Sequence, residues 1–128
     1  MPEVLVTSTT DRFSQHIRIR GHHLKGDEQV EKGGNDHGPE PHELLLAALG
    51  TCTSMTLRMY AERKGWPVGE VSVKLDGKTV DGRYVITRQI TMAGNLDAEQ
   101  RQRLLEIADK CPVHKTLSNP IVIETTEV

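Results

Sequence analysis

The spacing of apolar residues changes several times along this chain, and each change marks an element. Near the start, Val4-Leu5-Val6-Thr7-Ser8-Thr9 and the alternating Ile17-Arg18-Ile19-Arg20 flank turn-forming residues around Asp11-Arg12, the signature of a strand hairpin. The run Gly33-Gly34-Asn35-Asp36-His37-Gly38-Pro39 consists of turn formers and predicts irregular backbone. Pro41 then stands where a first helical residue would, opening a helix that runs to about Lys64 and stops at Gly65. In that helix Leu45, Leu49, Thr56 and Met59 form a stripe around Cys52, while Leu44, Ala48 and Leu57 carry apolar surface to other faces. A helix apolar on several faces belongs in a core or an oligomer interface.

The period then falls to two. Glu70 to Leu75 carries Val71, Val73 and Leu75 on one face, and Tyr84 to Met92 carries Ile86 and Ile90. With Asp76-Gly77 and Asp81-Gly82 as turn signals between them, the two segments predict an antiparallel pair. Asp97 with Gln100 three residues on reads as a capping box opening a second helix, with Leu104, Leu105, Ile107 and Ala108 on its buried side. Ile121-Val122-Ile123-Glu124-Thr125 reads as a closing strand. The order β-β-β-α-β-β-α-β segregates helices from a mostly antiparallel sheet, an α+β fold.

Composition narrows the field. The 128 residues suit one domain, 1-128, large enough for a core but not for a roomy active site of its own, so oligomerisation would supply the missing walls. A formal charge of -2 and a pI near 6.3, with no Lys/Arg run, argue against nucleic acid as a partner. The longest apolar run, Leu44 to Leu49, is far shorter than a bilayer needs, and Met1-Pro2-Glu3 lacks the basic and apolar regions of a leader. The expectation is a soluble cytoplasmic protein with no membrane partner.

The chemistry points to the two cysteines. Cys52 lies mid-helix, and Cys111 opens Cys111-Pro112-Val113-His114, where Pro112 suits a first helical position and leaves Cys111 at the cap, a place that favours a thiolate. A buried thiol facing a second thiol at a helix start fits an attacking and a resolving cysteine. Cys52 taken alone also reads as ordinary core, since cysteine packs as a small hydrophobe. A structural staple suits an oxidising compartment better than a cytoplasm.

With these residues in view, the chain resembles the OsmC/Ohr family of thiol peroxidases, in its less characterised OsmC-like branch. The resemblance rests on Gly38-Pro39-Glu40-Pro41-His42-Glu43-Leu44-Leu45-Leu46-Ala47-Ala48 leading to Cys52, and on Ala108-Asp109-Lys110-Cys111-Pro112-Val113-His114. It implies an intertwined homodimer whose sheets, built from both chains, wrap two central helices. It also implies reduction of organic hydroperoxides, with Cys52 attacking as thiolate, Cys111 closing a disulfide on the resulting sulfenic acid, and an external dithiol restoring both. No metal, flavin or haem enters that scheme. Because burial alone keeps a thiol protonated, the family places an arginine beside the sulfur and a glutamate to orient it. Arg12 matches the arginine, with Arg18 and Arg20 as further candidates. His42 stands at the glutamate's position and Glu43 one residue later, about 100° round a helix, so Glu43 is the candidate here.

Three other chemistries compete. Cys111-x-x-His114 with Cys52 and His42 has the composition of a tetrahedral zinc site. His114 or His42 as base for Cys52 would make a hydrolase. A module without catalysis would hold an apolar ligand at the dimer interface, with cysteines that merely pack. Asp27, Glu28 and Glu31 read as a solvated loop edge, and His22, His23 and His37 as solvated loop residues.

Overall fold

Two antiparallel strand sets and one long helix organise the chain, which divides into compact units of residues 1–45 and 46–128. The computed structural model describes residues 3–128. Met1 and Pro2, on which the expectation of no leader partly rests, lie outside the described residues.

In the first unit, β1 (Val4–Ser8), β2 (Gln15–Ile19) and β3 (His22–Gly26) form a meander in the order β1-β2-β3. Val6 pairs with Ile17 and Ile17 with Leu24, so one face of the sheet is apolar. The other face carries His16, Arg18, His23 and Lys25, and the His16 Nε2 and His23 Nδ1 atoms lie 3.0 Å apart. His22 and His23 therefore belong to a strand, where a loop was expected. Asp27 also departs from expectation: only 3% exposed, it accepts the backbone N–H groups of Glu28, His37 and Asn35 at 2.7, 3.0 and 3.3 Å. Three backbone donors, two of them in the turn-forming run 33–39, need partners once the loop closes on itself, and one buried carboxylate supplies them. Glu28 Oε1 is buried without a partner, facing a cavity of about 580 Å³ lined by Val6, Phe13, Ile17, Pro41 and Leu44 among others.

Helix α1 (Pro41–Lys64) has the predicted bounds, with Gly65 taking φ +71° as it ends. Its buried line is Leu49, Thr53, Leu57 and Ala61, a strict spacing of four, while Met59 from the expected stripe stays 63% exposed and Met55, one turn before it, 51%. At 24 residues α1 is long and apolar enough to cross a membrane by length and composition alone, more than the run Leu44 to Leu49 suggested. Only 28% of its most apolar window is buried, so most of that surface is uncovered by its own chain.

In the second unit β4 (Val68–Val80) and β5 (Arg83–Gly94) form one long hairpin. Its turn is Asp81-Gly82, both with positive φ (52° and 77°), which matches the right-handed strand twist. Asp76-Gly77 is no turn: the two residues pair with Thr87 and Ile86 inside the ladder, and the Tyr84 ring lies over the bare Cα of Gly77. Helix α2 (Ala98–Ala108) starts at the Asp97/Gln100 capping box and buries Leu104, Ile107 and Ala108, leaving Leu105 44% exposed. These three close a core with Leu57, Ala61 and Leu96, which Trp66, Val71, Ile90 and Met92 edge. A short helix α3 (Pro112–Leu117) follows, and beyond it the expected strand is absent: Ile121, Val122 and Ile123 are 57%, 83% and 83% exposed in irregular backbone. β-branched residues favour extended backbone, but a strand also needs a neighbour for its ladder, and none of the described strands offers one here.

Candidate active site

Both cysteines lie in the second unit. Thr53 and its neighbour Cys52 come from the middle of α1, and Cys111 from the junction of α2 and α3, where Pro112 at the first helical position leaves Cys111 as the cap residue. Both cysteines are free thiols, Cys111 fully buried and Cys52 half-buried. Cys52 Sγ lies 3.9 Å from Thr56 Oγ1, one helical turn on.

The two thiols influence each other's ionisation and are unequal. Burial pushes the Cys52 thiol above the usual cysteine range, its bond to Cys111 pushes the same way, and the Val113 N–H and Thr56 hydroxyl oppose only in part. Burial acts upward on Cys111 too, but the Cys52 thiol, the N–H groups of His114 and Val113 and the Thr53 hydroxyl outweigh it, so Cys111 is lowered. The two directions agree: of the pair, Cys111 is the thiol that ionises more readily and Cys52 the one that holds its hydrogen longer.

Around the dithiol stands a residue that the sequence analysis passed over. Arg88, from the middle of β5 and only 12% exposed in its side chain, donates to Thr53 Oγ1 at 3.0 Å, Asp109 Oδ1 at 3.0 Å and His114 Nδ1 at 3.1 Å. It thereby ties β5 to α1, to the end of α2 and to α3. The signal was present in the alternation Ile86-x-Arg88-x-Ile90-x-Met92, which puts a guanidinium on an inward apolar face. Arg88, His114, Leu49, Tyr84, Ile86 and Leu117 line a cavity of about 360 Å³.

Since arginine can only donate, His114 Nδ1 must accept, and its hydrogen sits on Nε2. A histidine in that state has no lone pair left to take a proton from a thiol, which removes His114 as the base of a hydrolase. Among the described residues no three His, Cys, Asp or Glu side chains gather as a metal-binding group, so the four zinc ligands named from sequence are not assembled.

Arg12 and Glu43 lie in the first unit, each with local partners. Arg12 has φ +46° in the turn after β1, and its guanidinium stacks over Phe13 at 5.1 Å. Glu43 closes the start of α1: its carboxylate accepts the Glu40 N–H at 2.9 Å while the Glu40 carboxylate accepts the Glu43 N–H. Arg18 lies on β2 opposite His23, and Arg20 takes φ +54° just after that strand.

A long helix carrying one of two free cysteines, a two-stranded antiparallel ladder and a three-stranded antiparallel meander are the parts of an α+β protein of the OsmC type. The chain belongs to that family: the model for OsmC-like proteins matches residues 33–126. Solved structures share the fold at low identity. An OsmC-like protein from Mycoplasma pneumoniae is 16% identical with a TM-score of 0.78, over 92% of this chain and 87% of that one. An organic hydroperoxide resistance protein from Elizabethkingia anophelis is 18% identical with a TM-score of 0.69, over 91% and 86%. Another, from Legionella pneumophila, is 15% identical with a TM-score of 0.68, over 91% and 88%. No curated protein matches the sequence.

Proposed function

We propose that this protein is a thiol-dependent peroxidase that reduces organic hydroperoxides as a cytoplasmic homodimer, in defence against oxidative or osmotic stress. The observation that carries the reading is the unequal access of two free thiols in the second unit: Cys52 is half-buried, whereas Cys111 is fully enclosed. A peroxide reaches Cys52 first. The Cys52 thiolate attacks the outer peroxide oxygen, the O–O bond breaks and the alkoxide leaves as the alcohol after taking a proton, with Cys52 left as sulfenic acid. The Cys111 thiolate then attacks that sulfur, the S–S bond forms, and hydroxide leaves as water after protonation. An external dithiol returns both sulfurs to thiols, and no metal, flavin or haem takes part.

The raised Cys52 must lose its hydrogen before it attacks, and a cation beside it is the physical remedy. We assign that cation to Arg12, with Glu43 tuning it, the pair implied by the family resemblance. Two features support the homodimer: the exposed apolar side of α1 at Met55 and Met59, and the strand-forming Ile121-Val122-Ile123 left without a ladder.

The test is intact mass and free-thiol titration of the reduced protein before and after one equivalent of an organic hydroperoxide. Loss of two hydrogens and both thiols is the expected result. Unchanged mass and thiols would replace the peroxidase by a module that holds an apolar ligand, for which the cavity of about 580 Å³ lined by Phe13, Ile17 and Leu44 is the supporting observation.

A further inference from the structure

The first unit holds one buried acceptor that goes unsatisfied. Glu28 Oε1 is shut off from solvent and has no hydrogen-bond partner among the described residues. The backbone that carries it is fixed on both sides: the Glu28 N–H donates to Asp27 Oδ1 at 2.7 Å, and the Glu28 carbonyl accepts the Asp36 N–H at 3.1 Å. The loop also presses close to it, since a Cβ on Gly34 would collide with the Glu28 carbonyl and Cβ. Folded chains leave few buried polar atoms unpaired, because each has lost its water and gained no partner.

Glu28 lines the cavity of about 580 Å³, and every residue of that lining belongs to the first unit. The volume falls within the range of small-molecule sites, and Phe13, Ile17 and Leu44 help make the wall mostly apolar. Three other polar side chains line it, and none answers Glu28. Asp27 is an acceptor itself, already occupied by three backbone N–H groups. Gln15 turns its amide nitrogen to the Phe13 carbonyl at 3.1 Å. Lys32, the one cation of the wall, is exposed and forms no ion pair among the described residues.

We propose that this cavity is a binding site for an apolar small molecule that ends in a primary amine, whose ammonium group donates to the Glu28 carboxylate. A ligand with a carboxylate head would meet a like charge, and a plain hydrocarbon would leave the acceptor unpaired. An alcohol would satisfy it through a neutral bond, about half as strong as a charge-assisted one. The terminal torsion of a glutamate is soft, so the oxygen turns to an entering donor while the loop stays closed. A site built around a buried polar group rejects ligands that leave that group without a partner. The lining shares no residue with the unit that carries the two cysteines, so the inference goes beyond the peroxidase reading and names the head group that a ligand of this cavity must carry.

The experiment titrates the full chain with phenylbutylamine, phenylbutanol and phenylbutyrate, which share one body and differ in the head, and follows binding by calorimetry and by methyl resonances. The amine should bind about tenfold more tightly than the alcohol, and the acid most weakly. The methyls of Ile17 and Leu44 should shift, while those of Leu104 and Ile107 in the core of the second unit should not. In Glu28→Gln, which keeps the shape and loses the charge, the amine should weaken about tenfold, to the level of the alcohol. Phenylbutyltrimethylammonium, which keeps the charge and has no N–H, should bind the unaltered chain no better than the alcohol, and this comparison decides alone should Glu28→Gln fail to fold. Equal affinity for the three heads, a preference for the amine that survives Glu28→Gln, or no binding at millimolar concentration would overturn the site. Free-thiol titration with a peroxide decides the peroxidase reading separately, so either one can fail while the other stands.

Discussion

Arg88 and Thr53, 35 residues apart in the chain, are joined by a 3.0 Å hydrogen bond that ties the middle of β5 to the middle of α1, next to Cys52 in sequence. The bond is buried at the Thr53 end, where the side chain is fully enclosed. Thr53→Val removes a hydroxyl and leaves a guanidinium N–H facing a methyl group. An unsatisfied buried donor costs about 1–3 kcal/mol, so urea unfolding should show a loss of that size. Thr53→Ser should lose less than half as much. Equal stability of the valine variant would mean that Arg88 turns to water or to Asp109 at no cost.

The roles of the two sulfurs separate in peroxide chemistry. Cys52→Ser should abolish peroxide consumption outright, because Cys111 is enclosed and cannot be reached. Cys111→Ser should allow one oxidation per chain and leave a sulfenic acid that a dimedone-type probe captures. Sustained turnover by Cys52→Ser would reverse the assignment and make Cys111, the more readily ionised thiol, the attacker.

Much of this could be read from sequence, and the rest resisted for physical reasons. Pro41, Gly65, Asp97 with Gln100, and Pro112 each act on their own few residues, so the helix starts and stops followed from local chemistry. Both cysteines were found for the same reason: each lies in a short pattern. Arg88 was missed because its meaning comes from three partners, on α1, α2 and α3, which no window on the strand contains. Asp76-Gly77 misled because turn residues also occur inside strands where a ring from the neighbouring strand fills the space above a glycine. The Ile121 segment carries every strand preference and no strand, since a ladder partner is a property of the assembly and not of the segment.

Asp27 should make the stability of the first unit depend on acid. The backbone N–H of His37 lowers its carboxyl below the usual aspartate range, burial opposes, and the N–H groups of Glu28 and Asn35 and the nearby His37 ring add to the lowering. A carboxyl lowered in the folded state contributes stability that is complete above its unfolded value and is lost as pH falls through its folded value. Urea midpoints of the unaltered chain should therefore fall between about pH 5 and about pH 2 more steeply than those of Asp27→Asn, with the gap between the two closing at the acid end. Parallel curves would mean that the three N–H groups are held as well by a neutral amide.

Two glycines in different settings should respond oppositely to the same added methyl. At Gly50, inside α1, the new Cβ would meet Leu75 Cδ1 at 2.7 Å, the far end of a half-buried side chain that can rotate. Alanine in a helix interior is favoured over glycine by about 1 kcal/mol, which offsets the cost of moving Leu75, so Gly50→Ala should stay within about 1 kcal/mol of the parent. At Gly34 the obstacle is the Glu28 carbonyl, a backbone atom that already accepts the Asp36 N–H at 3.1 Å. It cannot withdraw without opening the loop that Asp27 closes through Asn35 and His37. Gly34→Ala should lose about 2 kcal/mol or more and weaken hydrogen-exchange protection of the Asn35 and His37 amides, while protection in β4 and β5 is unchanged. If Gly34→Ala instead matched the parent in both, the loop would have a second closed form that tolerates the methyl, and Asp27 would not be what holds it shut.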